Sequence, residues 1–302
     1  MEIVSQRLLV QHPSLSAATV SAICEQLGLP ATRLSASAAY WDAQTRDAQT
    51  RDAQKQDAQK QDAQTLTAQQ ANMLAQQYSV DAALIDPTRR LSDFRLIAFD
   101  MDSTLITIEC IDQMADFAGK GDEVAAITRA AMRGEIADYD ESLRRRVVLL
   151  AGSPQSVLQR VYDERLQLSP GAQTLISAAK AAGLKVLLVS GGFTFFTSRL
   201  QQRLGIDVCH ANELAIADGQ LTGQVNGEIV NAQVKKRVLL ETCARFGCSP
   251  QQAIAVGDGA NDLLMMGAAG LSVAYHAKPV VQSQANYAIV HSGLDAVVNL
   301  FG

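Results

Sequence analysis

The 302-residue sequence has little positive charge and no long apolar stretch, and each shortage excludes a class of protein. Lysine and arginine total 26 against 31 acidic residues, for a formal net charge of −5. A nucleic-acid-binding face or a basic membrane-binding patch needs a surplus of cations, so we expect neither partner. No apolar run approaches the ~18 residues of a membrane span. The start, with its acid at Glu2 and no basic segment before an apolar stretch, does not fit a signal peptide.

Cysteines are also scarce. The five of them are odd in number and form no CxxC pair. A disulfide framework or a zinc ribbon is therefore not expected, and a reducing cytoplasm is the simpler setting. What the sequence does have is apolar material: 48% of its residues are hydrophobic and 19% charged, which excludes a chain disordered throughout. The length suggests about two domains.

Residues 1–92 are predicted to form a small domain whose fold the pattern does not define. Helical spacing covers 14–29 and 68–78, and a short strand is expected around 33–40. Residues 42–64 repeat a pentapeptide, DAQTR or DAQKQ, whose apolar side chains are never larger than alanine. We interpret this tract as a frayed helix or disordered insertion, although a binding tract stays an alternative.

From Asp93 onward, strands alternate with helices. Apolar runs at 96–99, 185–189 and 253–256 each end on polar or glycine residues, and a helix follows each of them. This alternation predicts an α/β domain over 93–302, with a doubly wound parallel sheet of the Rossmann type. Ligands of such sheets bind beyond the carboxyl ends of the strands, so the three strand ends should converge on one crevice.

Helical periodicity also marks a segment between the first two of these strands. The four runs with helical spacing are 111–118, 123–133, 139–150 and 154–166. We expect a helical cap over about 107–168, placed to exclude water from the crevice. Two short runs within 212–231 predict a β-hairpin.

Two acidic motifs follow predicted strands. Asp100 and Asp102 lie two residues apart, so that one carboxylate could attack while the other handles a proton; a helix cap or turn is the alternative. Asp258, Asn261 and Asp262 offer oxygen ligands of the kind Mg²⁺ prefers, although a glycine turn before a helix explains them as well.

Two further features are weak when taken singly. Ser190 and Gly191 supply a hydroxyl and backbone N–H groups at a helix start, which suits a phosphate. Lys235 opens a predicted helix, where a lysine usually faces solvent. Cys110 has no histidine nearby in sequence, and we expect it to serve packing.

Taken in order, these motifs resemble those of the haloacid dehalogenase superfamily. Their residues are most similar to the motifs of the phosphoserine phosphatase family. The motifs that carry the resemblance are DMDSTLITIECID, AAMRGE, SLRRRV, SGGFTFF, GDGANDLLMM and AYHAKP. The resemblance covers Asp93 to about Val290 and leaves out residues 1–92.

The resemblance implies a Mg²⁺-dependent phosphatase that hydrolyses O-phospho-L-serine, the last step of L-serine biosynthesis. Asp100 would be the nucleophile that becomes phospho-aspartate, and Asp102 the acid and then the base. Mg²⁺ would bind Asp100, the main-chain carbonyl of Asp102 and Asp258. The other implied roles are substrate contacts at Glu109, Met132, Arg146, Ser190, Gly191, Lys235 and Asn261, with Asn261 and Asp262 orienting the metal ligands.

Two alternatives stay open at this point. The chain could be a related small-molecule phosphatase or phosphotransferase, for example one that uses phosphohomoserine. It could also be a phosphate-binding module without catalysis, although binding alone does not require both Asp100 and Asp102. Phosphate release with and without a chelator separates an enzyme from a binding module.

Overall fold

The structure is a computed structural model that describes residues 6–42, 66–133, 135–136 and 138–301, without the side chain of Met132. Its contacts divide the chain into two compact units, one of Met1–Leu91 with Ile289–Gly302 and the other of Ser92–Ala288. The domain ranges 1–92 and 93–302 stay predictions from the sequence. Among the described residues, no helix is both long and apolar enough to cross a membrane.

The secondary structure alternates through most of the chain. The strands are β1 (Arg7–Gln11), β2 (Arg33–Leu34), β3 (Ala38–Asp42), β4 (Asp81–Ile85), β5 (Leu96–Phe99), β6 (Lys185–Phe193), β7 (Val208–Ala217), β8 (Gln220–Asn226), β9 (Ala253–Gly257), β10 (Leu271–Tyr275) and β11 (Tyr287–Ile289). The α-helices are α1 (Ala17–Leu27), α2 (Ala68–Tyr78), α3 (Cys110–Phe117), α4 (Gly121–Met132), α5 (Tyr139–Val148), α6 (Ser156–Glu164), α7 (Ala172–Ala181), α8 (Thr194–Leu204), α9 (Ala232–Arg245), α10 (Leu263–Ala268) and α11 (Pro279–Gln282).

The larger unit is built on a seven-stranded sheet in the order β11-β10-β9-β5-β6-β7-β8. The pairs β9–β10, β5–β9, β5–β6 and β6–β7 are parallel, and β7–β8 is antiparallel. The chain runs outward from β5 on one side and then returns to place β9 on the other. The predicted doubly wound α/β fold is confirmed, with its topological switch between β5 and β9.

The central strands are buried along their whole length. Every residue of β5, β9 and β10 is buried, as expected for parallel strands covered by helices on both faces. The pattern predicted β5 with its bounds and β9 to within one residue. It missed β10 and the short edge strand β11, and it ended β6 four residues early, at Val189 rather than Phe193.

Of the helices between β5 and β6, the first four, α3 to α6, lie in the predicted cap segment 107–168, as the periodicity predicted. An antiparallel bridge pairs Ile106 with Leu168, so the segment leaves and rejoins the sheet domain at one place. The predicted hairpin is β7–β8. Its turn consists of Asp218 and Gly219, both with positive φ (49° and 76°), which is the backbone form favoured in two-residue hairpins.

The smaller unit contains a second, antiparallel sheet in the order β2-β3-β1-β4, with α1 and α2. The order of elements, βαββαβ, is that of a ferredoxin-like fold, which the sequence alone did not identify because β1 and β4 were not recognised as strands. A capping box between Thr67 and Gln70 begins α2, which has the predicted bounds. Of the repeat tract at 42–64, only Asp42 is among the described residues; it ends β3.

Candidate active site

The predicted motifs meet at the carboxyl ends of β5, β6 and β9, on either side of the topological switch. A cavity of about 320 Å³ lies at this edge of the sheet, beneath residues of the cap. Eight of the predicted site residues line it, namely Asp100, Asp102, Glu109, Arg146, Ser190, Gly191, Asp258 and Asn261. The convergence predicted from the strand ends is therefore present.

A wide turn after β5 brings two carboxylates to the cavity. The Ile106 N–H donates to the Met101 carbonyl at 3.0 Å and closes the turn, and Ser103 adopts a positive φ of 56°. The Met101 N–H donates to Asp100 Oδ1 at 2.7 Å, which fixes the side chain. The turn expected as an alternative thus exists, but both Asp100 and Asp102 also line the cavity.

Lys235 lies fully buried beneath the cavity. Its Nζ is 2.8 Å from Asp100 Oδ2 and 2.7 Å from Asp262 Oδ1. Burial alone would lower the pKa of Lys235, but the two carboxylates outweigh it and raise the pKa, so the side chain stays charged. The expectation that a lysine here faces solvent is therefore wrong for Lys235. The neighbouring Lys236 is only half-buried and remains in contact with solvent.

Asp262 orients the loop that follows β9. Its Oδ2 accepts hydrogen bonds from the backbone N–H groups of Asp258 (3.1 Å) and Gly259 (3.0 Å), and its Oδ1 accepts from Lys235. Any side chain at Gly257 would strike the Asp262 carboxyl, because a Cβ there would lie 2.5 Å from its carbon. Both oxygens of Asp262 are thus engaged within the protein.

The described residues include one acidic cluster that could hold a metal ion. Single carboxylate oxygens of Asp100, Asp258 and Asp262 lie within 4.8 Å of one another. The Thr104 hydroxyl donates to Asp258 Oδ1 at 2.8 Å, and no hydrogen bond from the described residues reaches Asp258 Oδ2. Because Asp100 and Asp258 line the cavity and the fully buried Asp262 does not, Asp100 and Asp258 are the better side-chain ligands. Such hard oxygen donors suit Mg²⁺.

The charges of the site explain why a cation fits there. Burial, followed by the neighbouring carboxylates Asp262 and Asp258, raises the pKa of Asp100 to about 8 despite Lys235. Burial and Asp262 likewise raise the pKa of Asp258 to about 6. A divalent cation between these carboxylates would favour their ionised forms.

Asp102 is placed for proton transfer. Its Oδ1 is buried and has no hydrogen-bond partner among the described residues. Burial raises the pKa of Asp102 well above its usual range, and Glu109 and Asp100 add to the shift. The buried Cys110 lies beside this carboxyl and partly offsets the rise in its pKa, so Cys110 contacts Asp102 in addition to the packing we expected of it.

The Ser190-Gly191-Gly192 segment is the end of β6, with a bulge between Ser190 and Phe193, rather than the helix start that we expected; α8 begins at Thr194. The Ser190 hydroxyl oxygen accepts from the Gly192 N–H at 2.8 Å. The buried Asn212 holds the segment from β7, donating to the Gly191 carbonyl at 2.7 Å.

Two residues of this site were missed by sequence reasoning. Asn212 also accepts from the Val230 N–H at 2.8 Å, and so joins β6 to the segment leading into α9. Tyr139 extends from α5 into the cavity. Asn212 begins the predicted hairpin segment 212–231, but nothing in the sequence shows that its side chain is buried against Gly191. Nothing in the sequence separates Tyr139 from an ordinary packing residue.

The cap contributes two carboxylates, Glu109 and Asp112, and one guanidinium, Arg146, to the cavity wall. Glu109 Oε1 accepts from the Ser103 hydroxyl at 2.7 Å, and the surrounding cavity walls raise the pKa of its carboxyl. Arg146 is half-buried and lines the cavity, whereas Arg144 and Arg145 are exposed on the same helix. The Met132 side chain, also predicted as a substrate contact, lies outside the described residues.

Residues 94–270 match the model of the haloacid dehalogenase-like hydrolases. The chain therefore belongs to the haloacid dehalogenase-like hydrolases. It is 61% identical over 218 residues to a phosphoserine phosphatase of Polaromonas sp., a match that covers 71% of this chain and 92% of that one. The predicted family, and the closer resemblance to phosphoserine phosphatases within it, are both confirmed.

Solved structures agree with that relationship. The crystal structure of a probable phosphoserine phosphatase from Vibrio cholerae, in unliganded form, matches with a TM-score of 0.79 and 35% identity, covering 99% of this chain and 86% of the other. A phospho-aspartyl intermediate analogue of phosphoserine phosphatase matches with a TM-score of 0.65 and 37% identity, over 69% of this chain and 99% of the other. The first match includes the N-terminal unit, which the sequence resemblance did not cover.

Proposed function

We propose that this chain is a cytoplasmic phosphoserine phosphatase that hydrolyses O-phospho-L-serine to L-serine and phosphate, the last step of L-serine biosynthesis. The observation that carries the proposal is Asp100, which lines a capped cavity beside Asp102 and pairs with the buried Lys235. The 61% identity to a phosphoserine phosphatase supports the choice of substrate.

The reaction would proceed in two displacements at phosphorus. In the first, an Asp100 carboxylate oxygen forms a bond to phosphorus while the bond to the serine oxygen breaks, and Asp102 gives its proton to that oxygen. In the second, Asp102 takes a proton from water as the water oxygen attacks the phospho-aspartate, which releases phosphate and restores Asp100. Each step is easier than direct hydrolysis because a covalent intermediate divides the barrier.

A phosphate dianion repels an attacking carboxylate, so the site must supply positive charge. Lys235, at 2.8 Å from Asp100 Oδ2, supplies one fixed charge at the nucleophile. Mg²⁺ held by Asp100, the main-chain carbonyl of Asp102 and Asp258 would supply the rest of the neutralising charge. Asp262 keeps the Asp258 loop and Lys235 in register through its hydrogen bonds to both.

The phosphoryl oxygens would contact Ser190, Gly191, Lys235 and Asn261, which lie in or directly beneath the cavity. The amino-acid end of the substrate would meet the cap. Glu109 would bind the ammonium and Arg146 the carboxylate, through two parallel hydrogen bonds. Met132 would complete this contact. The half-buried position of Arg146, unlike that of Arg145, supports its role.

Phosphate release from O-phospho-L-serine tests the proposal. The wild-type chain should release phosphate with Mg²⁺ and stop on addition of EDTA, and Asp100→Asn should be inactive while melting near the wild-type temperature. Parallel assays with O-phosphohomoserine and with other small phosphomonoesters define the substrate. Faster turnover of one of those, or an active Asp100→Asn without deamidation, would overturn the substrate or the covalent route respectively.

A further inference from the structure

Tyr139, the first residue of α5, brings a hydroxyl from the cap into the cavity. The side chain is half-buried and is part of the cavity wall. Tyr139 and Arg146 are seven residues apart on α5, which is about two helical turns, so both lie on the face of the helix toward the cavity. The cap therefore presents two polar groups to the substrate from a single rigid element.

The hydroxyl lies directly over Gly191. A Cβ built on Gly191 would overlap the Tyr139 hydroxyl oxygen and lie only 3.2 Å from the ring carbon that carries it. Gly191 thus has a reason to be glycine that concerns the cap rather than the backbone of β6. The tyrosine hydroxyl occupies the space that any other residue at 191 would fill.

No hydrogen bond joins the Tyr139 hydroxyl to another residue in the described part of the chain. The charged groups of Lys235, Asp100, Arg146 and Asp102 lie near enough to act on it electrostatically. Burial raises the pKa of Tyr139 to about 12, so the group keeps its proton at neutral pH and can only donate or accept as a neutral hydroxyl. An unengaged donor thus faces the cavity close to the nucleophile and its lysine.

We propose that the Tyr139 hydroxyl donates a hydrogen bond to a non-bridging oxygen of the transferring phosphoryl group, an inference that rests on the function proposed above. The hydroxyl lies over Gly191, one of the residues proposed above to contact the phosphoryl oxygens, which favours the phosphoryl end of the substrate over its carboxylate. The contact would join the cap to the reacting group, so the position of α5 over the cavity and the chemical step would support each other.

Replacing Tyr139 with phenylalanine removes the hydroxyl and keeps the ring. Loss of one neutral donor to a charged phosphoryl oxygen should lower kcat/KM about tenfold. The loss should be similar for O-phospho-L-serine and for p-nitrophenyl phosphate, which has no amino-acid end. Inhibition by inorganic phosphate should weaken by a comparable factor. Tyr162→Phe, on α6 and outside the cavity wall, is the matched control and should leave all three values unchanged.

Each outcome of this comparison has a distinct meaning. A loss confined to phosphoserine would place the hydroxyl at the amino acid, and unchanged values on both substrates would show that it makes no contact; either result overturns the proposal. If the wild-type chain cleaves p-nitrophenyl phosphate but not phosphoserine, the proposed substrate fails, and the Tyr139→Phe comparison on p-nitrophenyl phosphate still decides the role of the hydroxyl.

A double-mutant cycle with Gly191 tests the geometry independently. Gly191→Ala places a methyl group against the hydroxyl and should lower kcat/KM strongly in the wild-type background. In the Tyr139→Phe background the same change should cost several-fold less, because the overlapping oxygen is gone and only the 3.2 Å contact to the ring remains. Melting curves identify any variant that fails to fold. Equal costs in folded protein from both backgrounds would contradict the placement of Tyr139 over Gly191.

Discussion

The two units of the chain differ in how they bury charge. The small N-terminal unit closes on an apolar cluster that includes Leu8, Trp41 and Leu74, and its buried carboxylate, Asp81, is held by three backbone N–H groups. The larger unit has an apolar core of its own, but at the carboxyl edge of its sheet it also buries Lys235 with Asp100 and Asp262. Apolar burial follows from periodicity and stabilises in proportion to area. Buried charge is stable only with a complete set of partners, and a buried cluster of opposite charges beside a cavity is a candidate site for chemistry.

Removal of the buried cation should have the largest effect of these substitutions. Lys235→Met leaves Asp100 and Asp262 buried without their shared partner, so kcat should fall by about 10³-fold or more. The free energy of unfolding should fall by about 3–5 kcal/mol. Turnover and denaturant melts measure both.

Lys236→Met is the control. Lys236 is only half-buried, so its replacement should change turnover and stability little. An active, fully stable Lys235→Met would show that Asp100 and Asp262 do not depend on Lys235 for their charge. The proposed difference between the two units would then be wrong.

Two arginines of α5 allow a comparison of a residue that lines the cavity, Arg146, with an exposed one, Arg145. Arg146→Ala should lower kcat/KM for phosphoserine by about 10²-fold, as expected for loss of a charged bidentate contact. It should barely change the hydrolysis of p-nitrophenyl phosphate. Arg145→Ala, on an exposed residue paired with Glu141, should leave both values near wild type. Equal losses on the two substrates would assign Arg146 to the phosphate or to the cap.

Substitutions in the apolar cluster of the N-terminal unit should lower its stability and leave turnover unchanged. Leu74 is 1% exposed, so Leu74→Ala should destabilise the N-terminal unit by about 2–5 kcal/mol. Met73→Ala, at 47% exposed on the same helix, should cost little. Denaturant melts together with kcat per folded molecule compare the two variants. A large drop in kcat for folded Leu74→Ala would tie the small unit to the catalytic step.

The smallest effect expected is a dependence of stability on pH in the absence of metal. The pKa values of Asp258 and Asp100 are raised to about 6 and about 8 in the fold, from ordinary values near 3.8. A carboxyl whose pKa is higher in the folded than in the unfolded chain contributes stability that is complete below its unfolded pKa. That contribution is lost as the pH rises through its folded pKa. In EDTA the Tm should therefore fall by several degrees between pH 5 and pH 9.

Added Mg²⁺ should raise the Tm more at pH 9 than at pH 5, because protons no longer compete for the carboxylates. Asp258→Asn should reduce the slope of Tm against pH in EDTA between pH 5 and pH 7. A Tm in EDTA that rises with pH between pH 5 and pH 9 would mean that folding does not raise the pKa values of these carboxyls.

Much of the larger unit could be predicted because its signals are local. β5 has the bounds expected from pattern alone, and the cap helices differ from the expected runs only at their ends. The small unit was harder. β1 and β4 are five-residue strands whose pairing partners lie 27 or more residues away, and short apolar runs of this kind do not distinguish strand from helix.

What the sequence by itself determined is the set of motifs, their order at strand ends, and hence the family and the crevice. Only the tertiary structure decided which polar residues enter that crevice. Lys235 looks like a surface lysine until α9 packs it against Asp100, 135 positions earlier, and Asp262. Arg146 differs from Arg145 only by the face of α5 that it occupies. Tyr139 and Asn212 acquire roles through contacts with Gly191. Burial and hydrogen bonding depend on neighbours brought together by folding, and local sequence carries no record of those neighbours.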